Sequence, residues 1–322
     1  MSIDVIRKLV AEDMHAVDAV IRSRLHSAVP LVREVSEYII GGGGKRLRPI
    51  LLILAAGACG HRGADVHELA AVVEFIHTAT LLHDDVVDDS DMRRGRRTAN
   101  SAFGNPASVL VGDFLYSRAF QMMVSVGQVR VTEVLADATN VIAEGEVLQL
   151  MNVHDPHVTE EAYLDVIRFK TAKLFEASGR LGAVLAGAAP VIEEDLASFG
   201  VHVGTAFQLI DDVLDYSGEI SDTGKNLGDD LAEGKATLPL IHVMRTGGEA
   251  EAALVRRAIL EGGLEEFGPV MDAIRRTGAL AYARDVAEEE VRRAVASLGR
   301  LADSPHRESL LHLASFSVSR SQ

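Results

Sequence analysis

The chain has 322 residues, 48% of them hydrophobic, with 8 prolines, no tryptophan and a formal charge of −15. Such a charge argues against nucleic acid and against electrostatic attraction to anionic lipid. The single cysteine, Cys59, excludes an internal disulfide framework and fits a reducing cytoplasm. Abundant Ala, Leu, Glu and Arg favour helices, so one all-α domain over residues 1–322 is expected. No apolar run approaches the roughly 20 residues needed to cross a bilayer, and the N-terminus lacks the order of a signal peptide; a cytoplasmic protein is expected.

Apolar Ile6, Val10, Met14, Val17, Ile21 and Leu25 recur at three and four, which predicts an amphipathic helix over 3–29 ended near Pro30. A second helix over 32–40 stops at Gly41 to Gly44, and the loop runs on through Lys45, Arg46, Leu47, Arg48 and Pro49. Glycines let the backbone approach a ligand, and three cations within four positions can hold an anion. The loop is not of Walker type, because Ile39 and Arg46 stand where that motif needs Gly and Ser or Thr. Pro49 opens the next helix, in which Ile50 to Ala56 is apolar all round and so belongs in the interior.

The helix predicted over 66–89 ends in LLHDDVVDDSDMRRGRRT, residues 81–98. Asp84, Asp85 and Asp88 stand at i, i+1 and i+4, so Asp84 and Asp88 stack one turn apart. Carboxylates so crowded repel unless a cation lies between them, and hard oxygen donors with substrate phosphates suit Mg²⁺, though Mn²⁺ satisfies the same oxygens. Arg93, Arg94, Arg96 and Arg97 then follow as phosphate partners. His77 lies two turns before Asp84 on the same face.

Helices over 107–127 and 131–151 come next, and Glu144, Glu146 and Gln149 on the second fit either a cavity or a solvated face. A helix over 160–182 carries FKTAKLFE with Lys170 and Thr171, and one over 192–216 ends in FQLIDDVLD, where Asp211, Asp212 and Asp215 repeat the first spacing. Two such helix ends facing one cavity could hold several metal ions around one anionic substrate. The loop after it, GKNLGDDLAEGKATLP, brings Lys225 and Lys235. Amphipathic helices over 240–245, 249–261, 265–276, 280–298 and 308–319 carry no further motif of this kind and read as packing.

The segments GGGGKRLRP, FIHTATLLHDDVVDDSDMRRG, FKTAKLF, FQLIDDVLD and GKNLGDDLAEGKATLP, in this order over residues 41–239, resemble the trans-isoprenyl diphosphate synthases, or polyprenyl synthetases. The first cluster and EGEVLQLMNVHD look especially like the long-chain bacterial members that make octaprenyl diphosphate. The resemblance implies antiparallel helices around a central cavity, a homodimer, and repeated addition of isopentenyl diphosphate to an allylic diphosphate such as farnesyl diphosphate, with a quinone side chain as destination. It implies that Asp84, Asp85, Asp88, Asp211, Asp212 and Asp215 hold Mg²⁺. It also implies that Arg93, Lys170, Thr171, Gln208, Lys225 and Lys235 contact the allylic diphosphate, and that Lys45, Arg48, His77 and Arg94 contact isopentenyl diphosphate. Asp84, Asp85, Asp88, Asp211, Asp212 and Lys170 are the expected catalytic set. Nonaprenyl, decaprenyl and shorter products, a terpene cyclase, and a non-catalytic subunit of a heteromeric synthase are the alternatives.

Product length would follow from cavity depth below the aspartates, each open helical turn adding about 5.4 Å. Ala79 and Thr80, one turn beneath Asp84, are small, so neither is expected to plug a tunnel along the helix.

Overall fold

The computed structural model describes residues 3–93, 95–217 and 227–319. The predicted N-terminal helix divides at Val10 into Ile3–Leu9 and Ala11–Arg24, because Val10 leaves helical backbone (φ −103°, ψ 13°) with its side chain fully buried. Pro30 opens the following helix, Pro30–Ile40, instead of ending the one before it; proline costs nothing in a first turn, where its missing N–H has no helical acceptor. The central helix Leu47–Ala58 is buried on nearly every face, as its all-round apolar sequence requires.

The first aspartate helix, Ala64–Val87, is capped by Asp88, and Asp89 (φ 49°) turns the chain into a two-rung antiparallel hairpin that pairs Met92–Arg93 with Arg96–Arg97. Neither this hairpin nor the short helix Ala99–Phe103 after it was expected, being too brief to show a period. The chain continues through Asn105–Ser125, Val129–Asn152, Glu160–Ile167 and Lys173–Leu185 to the second aspartate helix, Pro190–Asp215. Beyond it lie Asp229–Ala232, Leu238–Thr246, Glu249–Glu261, Phe267–Thr277, Ala279–Ser297 and Pro305–Val318.

The second aspartate helix organises the bundle. It packs along Lys173–Leu185 on one side and Ala279–Ser297 on the other, and the first aspartate helix packs against Asn105–Ser125 and the central helix. Two apolar clusters form the interior, and the second aspartate helix contributes to both: Leu196, Phe199 and Val203 to one, Leu209, Ile210 and Val213 to the other.

The helix predicted over 160–182 is interrupted by a π-helical turn, Arg168–Ala172. The extra residue rotates the following side chains, so that the consecutive Lys170 and Thr171 both line the cavity described below. Two glycines admit this wider turn. A Cβ at Gly145 would stand 2.6 Å from the Lys170 nitrogen, and one at Gly204 would stand 2.7 Å from the Ala172 Cα. Since backbone atoms cannot rotate aside, Gly204→Ala is expected to cost about 1–3 kcal/mol as an overpacked site, read as a lower urea midpoint at unchanged slope.

Candidate active site

A cavity of about 570 Å³ opens between the two aspartate helices. Asp84 and Asp88, one turn apart, both line it, with His77, Thr80 and Leu81 on the same helical face. Asp85, about 100° further round the helix, does not. Its side chain is fully buried, and Oδ1 accepts from Arg93 Nε at 2.8 Å and Nη2 at 2.7 Å. Burial raises the Asp85 pKa and Arg93 opposes that, leaving it above the ordinary carboxylate value. Of the three aspartates of the first cluster expected to hold Mg²⁺, two face the cavity, and the third ties down the arginine hairpin.

That hairpin has further ties. Asn100 Nδ2 donates to the Asp85 carbonyl at 3.0 Å, and Tyr38 Oη donates to the Arg97 carbonyl at 2.7 Å, while the Arg96 guanidinium stacks 4.7 Å from the Tyr38 ring. Tyr38 lies far from the motif in sequence and Asn100 just beyond its end, so neither was marked as a partner by the motif itself.

Lysines from two other segments neutralise the cavity-facing aspartates. Lys170 Nζ lies 3.5 Å from Asp84 and 2.6 Å from Glu146; Lys235 Nζ lies 3.1 Å from Asp88 and also pairs with Glu233. Burial disfavours both ammonium groups, but the surrounding carboxylates outweigh it and hold both pKa values above the ordinary lysine value. Glu146 moves the other way: burial pushes it up to about 7 against the pull of Lys170. Of the acidic pair Glu144 and Glu146, only Glu146 lines the cavity; Glu144 accepts from Asn140 on the outer surface.

Asp211, Asp212 and Asp215 line the opposite wall. Asp215 Oδ2 accepts from the Asp230 backbone N–H at 3.2 Å, which folds the Asp229–Ala232 turn onto the cluster and brings Lys235 over Asp88. Asp212 is held by Tyr163 at 2.5 Å and Gln208 at 2.7 Å, and burial, reinforced by Asp230, pushes it up to about 8.

The glycine-rich loop delivers Lys45, Arg48 and the neighbouring backbone to the same cavity. Arg46 takes the left-handed conformation (φ 53°), sparsely populated for a side chain of this size, and Glu74 holds it there at 3.0 Å. Arg48 lies 4.4 Å over the Phe175 ring. Thus Lys45, Arg48, His77, Asp84, Asp88, Arg93, Lys170, Thr171, Gln208, Asp211, Asp212, Asp215 and Lys235 all line one cavity, although they come from five stretches of sequence. Arg94 and Lys225 lie outside the described residues. Ala79 is fully buried in the first apolar cluster, and of the two small residues beneath Asp84 only Thr80 lines the cavity.

The donor set can be tested against a divalent cation. Among the described residues no three His, Cys, Asp or Glu side chains converge as a ready-made cage. Hard carboxylate oxygens nonetheless stand on both walls, and at Asp84 and Asp88 positive charge already occupies them in the form of ammonium groups. That suits Mg²⁺, which binds through one or two carboxylates and completes its shell with water and substrate phosphate.

The Asp85–Arg93 pair is the part of the site whose loss should appear in stability. Arg93→Leu leaves a buried carboxylate without its counter-charge, and is expected to lower unfolding free energy by about 3–5 kcal/mol in a denaturant titration.

The polyprenyl synthetase family profile matches residues 29–268. The chain is 54% identical over 321 residues to octaprenyl diphosphate synthase of Escherichia coli (strain K12), covering 99% of each chain. It is 45% identical over 314 residues to all-trans-nonaprenyl-diphosphate synthase (geranyl-diphosphate specific) of Rhodobacter capsulatus, covering 97% of this chain and 96% of that one. Its structure is similar to polyprenyl synthase from Caulobacter crescentus CB15 complexed with calcium and isoprenyl diphosphate, with a TM-score of 0.96 at 45% identity, covering 100% of this chain and 98% of that one.

Proposed function

The chain belongs to the polyprenyl synthetase family, and from that membership we propose that it makes octaprenyl diphosphate, adding isopentenyl diphosphate units in turn to an allylic primer such as farnesyl diphosphate. It is a prenyltransferase of the trans-polyprenyl diphosphate synthase type. The observation that carries the reading is the meeting, in one cavity, of aspartates from both clusters with basic residues from four separate stretches.

Asp84, Asp88, Asp211 and Asp215 would hold Mg²⁺, which supplies positive charge opposite the leaving diphosphate. Lys170, Lys235 and Arg93 stand where they can take up diphosphate oxygens as negative charge builds on C–O cleavage. Lys45, Arg48 and His77 would receive the second diphosphate, which brings the isopentenyl double bond toward the allylic carbon. After the new C–C bond forms, a proton must leave, and the released diphosphate is the nearest strong base. The chain needs no nucleophilic side chain. Its apolar walls, including Leu81, Phe175 and Phe207, exclude the water that would quench a carbocation.

The second aspartate helix, common to both apolar clusters, supports one domain over residues 1–322. Exposed Leu110, Val124, Val129, Val147, Leu150 and Met151 on Asn105–Ser125 and Val129–Asn152 support burial of these helices in a homodimer. No helix among the described residues is long and apolar enough to cross a membrane.

Incubated with Mg²⁺, farnesyl diphosphate and labelled isopentenyl diphosphate, the protein should give a ladder ending sharply at eight prenyl units; absence of elongation by folded protein rejects the reading. Thr80→Phe should shift the ladder to shorter products, resolved by chromatography after dephosphorylation. Chelation with EDTA should stop turnover, and Mg²⁺ or Mn²⁺ should restore it.

A further inference from the structure

Asp212 is 4% exposed, and a carboxylate buried this deeply needs donors for its lone pairs. Two side chains supply them. Tyr163 Oη, on the helix Glu160–Ile167, meets Oδ2 at 2.5 Å, and Gln208 Nε2, one turn before Asp212, donates to Oδ1 at 2.7 Å. Wherever the shared proton of the short Tyr163 contact resides, it lies at Oδ2, so Oδ1 stays an acceptor. Gln208 must therefore turn its NH₂ toward Asp212 and its carbonyl away. That carbonyl accepts from the Thr171 hydroxyl at 3.2 Å, inside the π-helical turn. Tyr163, Asp212, Gln208 and Thr171 thus form one directed relay that joins three helical segments, and each member lines the cavity.

We propose that Tyr163 is a positioning residue for the allylic substrate, fixing the Gln208 amide through Asp212 and, through Gln208, the direction of the Thr171 hydroxyl. The proposal rests on the reading above that Gln208 and Thr171 contact that substrate. With both Asp212 oxygens engaged, the relay also gives this carboxylate a task other than metal ligation. Removing the Tyr163 hydroxyl frees Oδ2, lets the Gln208 amide rotate, and unfixes Thr171. Lys45, Arg48 and His77 stand on segments other than the three that carry the relay, so KM for isopentenyl diphosphate is expected to stay unchanged.

The test is a double-mutant cycle read by calorimetric binding of farnesyl diphosphate with Mg²⁺, without isopentenyl diphosphate, beside steady-state kinetics. Tyr163→Phe should weaken farnesyl diphosphate binding about 10-fold, a small misplacement of contact groups sufficing for that, with KM for isopentenyl diphosphate unchanged. Tyr163→Phe should weaken binding less in the Thr171→Val background than in the unsubstituted chain, the part that remains being the Gln208 contact. If Tyr163→Phe unfolds, Tyr163→Phe/Asp212→Asn takes its place, since it leaves no unpaired buried charge while keeping an acceptor for Gln208. Unchanged binding, or a Tyr163 effect that adds fully to that of Thr171→Val, overturns the relay while leaving the substrate reading intact. If Thr171→Val by itself changes neither binding nor turnover, the substrate contact fails, and the relay's function with it.

Discussion

The structure depends on the compensation of crowded carboxylates by lysines brought from elsewhere in the chain. Asp84 and Asp88 share one helical face, and their mutual repulsion would fray the end of the helix that carries them. Lys170 and Lys235 cross the cavity to meet them, one from the π-helical turn and one from the loop beyond the second aspartate helix. Each lysine is at once held by a second carboxylate, Glu146 or Glu233. The two ammonium groups thereby offset part of the carboxylate charge around the cavity, and the same groups are already in place for an arriving diphosphate.

Other features follow from that constraint. The π-helical turn is needed to send the consecutive Lys170 and Thr171 into the cavity together, and it fits only because Gly145 and Gly204 carry no side chain. The Asp230 amide caps Asp215 and so draws the lysine-bearing loop across to the first cluster. On the far side of the first aspartate helix, Asp85 is spent on Arg93, which anchors the hairpin beside the site. Thus one helix end serves the cavity with two carboxylates and the scaffold with the third.

Much of this was legible in the sequence, because the chemistry sits in compact motifs whose spacing follows the helical period. Five of the six patterned aspartates, Lys170, Lys235 and the Lys45 and Arg48 of the glycine-rich loop line one cavity. What the period could not show was which face of a helix an adjacent residue takes: Asp85 and Ala79 are one position from cavity residues, yet point into the interior. The π-helical turn was hidden because neither proline nor glycine marks it within RFKTA; its cause lies in glycines on two other helices. Tyr163 was missed for a related reason, since a partner far away in sequence gives no local signal. The left-handed Arg46 likewise follows from Glu74, on another helix.

The most direct measurement is a crystal structure grown with Mn²⁺ and inorganic diphosphate, with the metal located by its anomalous scattering. Metal peaks are expected against Asp84 and Asp88 on one wall and the second cluster on the other, with the Lys170 and Lys235 ammonium groups moved from aspartate to diphosphate oxygen. Diphosphate bound with both lysines still paired to Asp84 and Asp88, and no metal at either cluster, would contradict this.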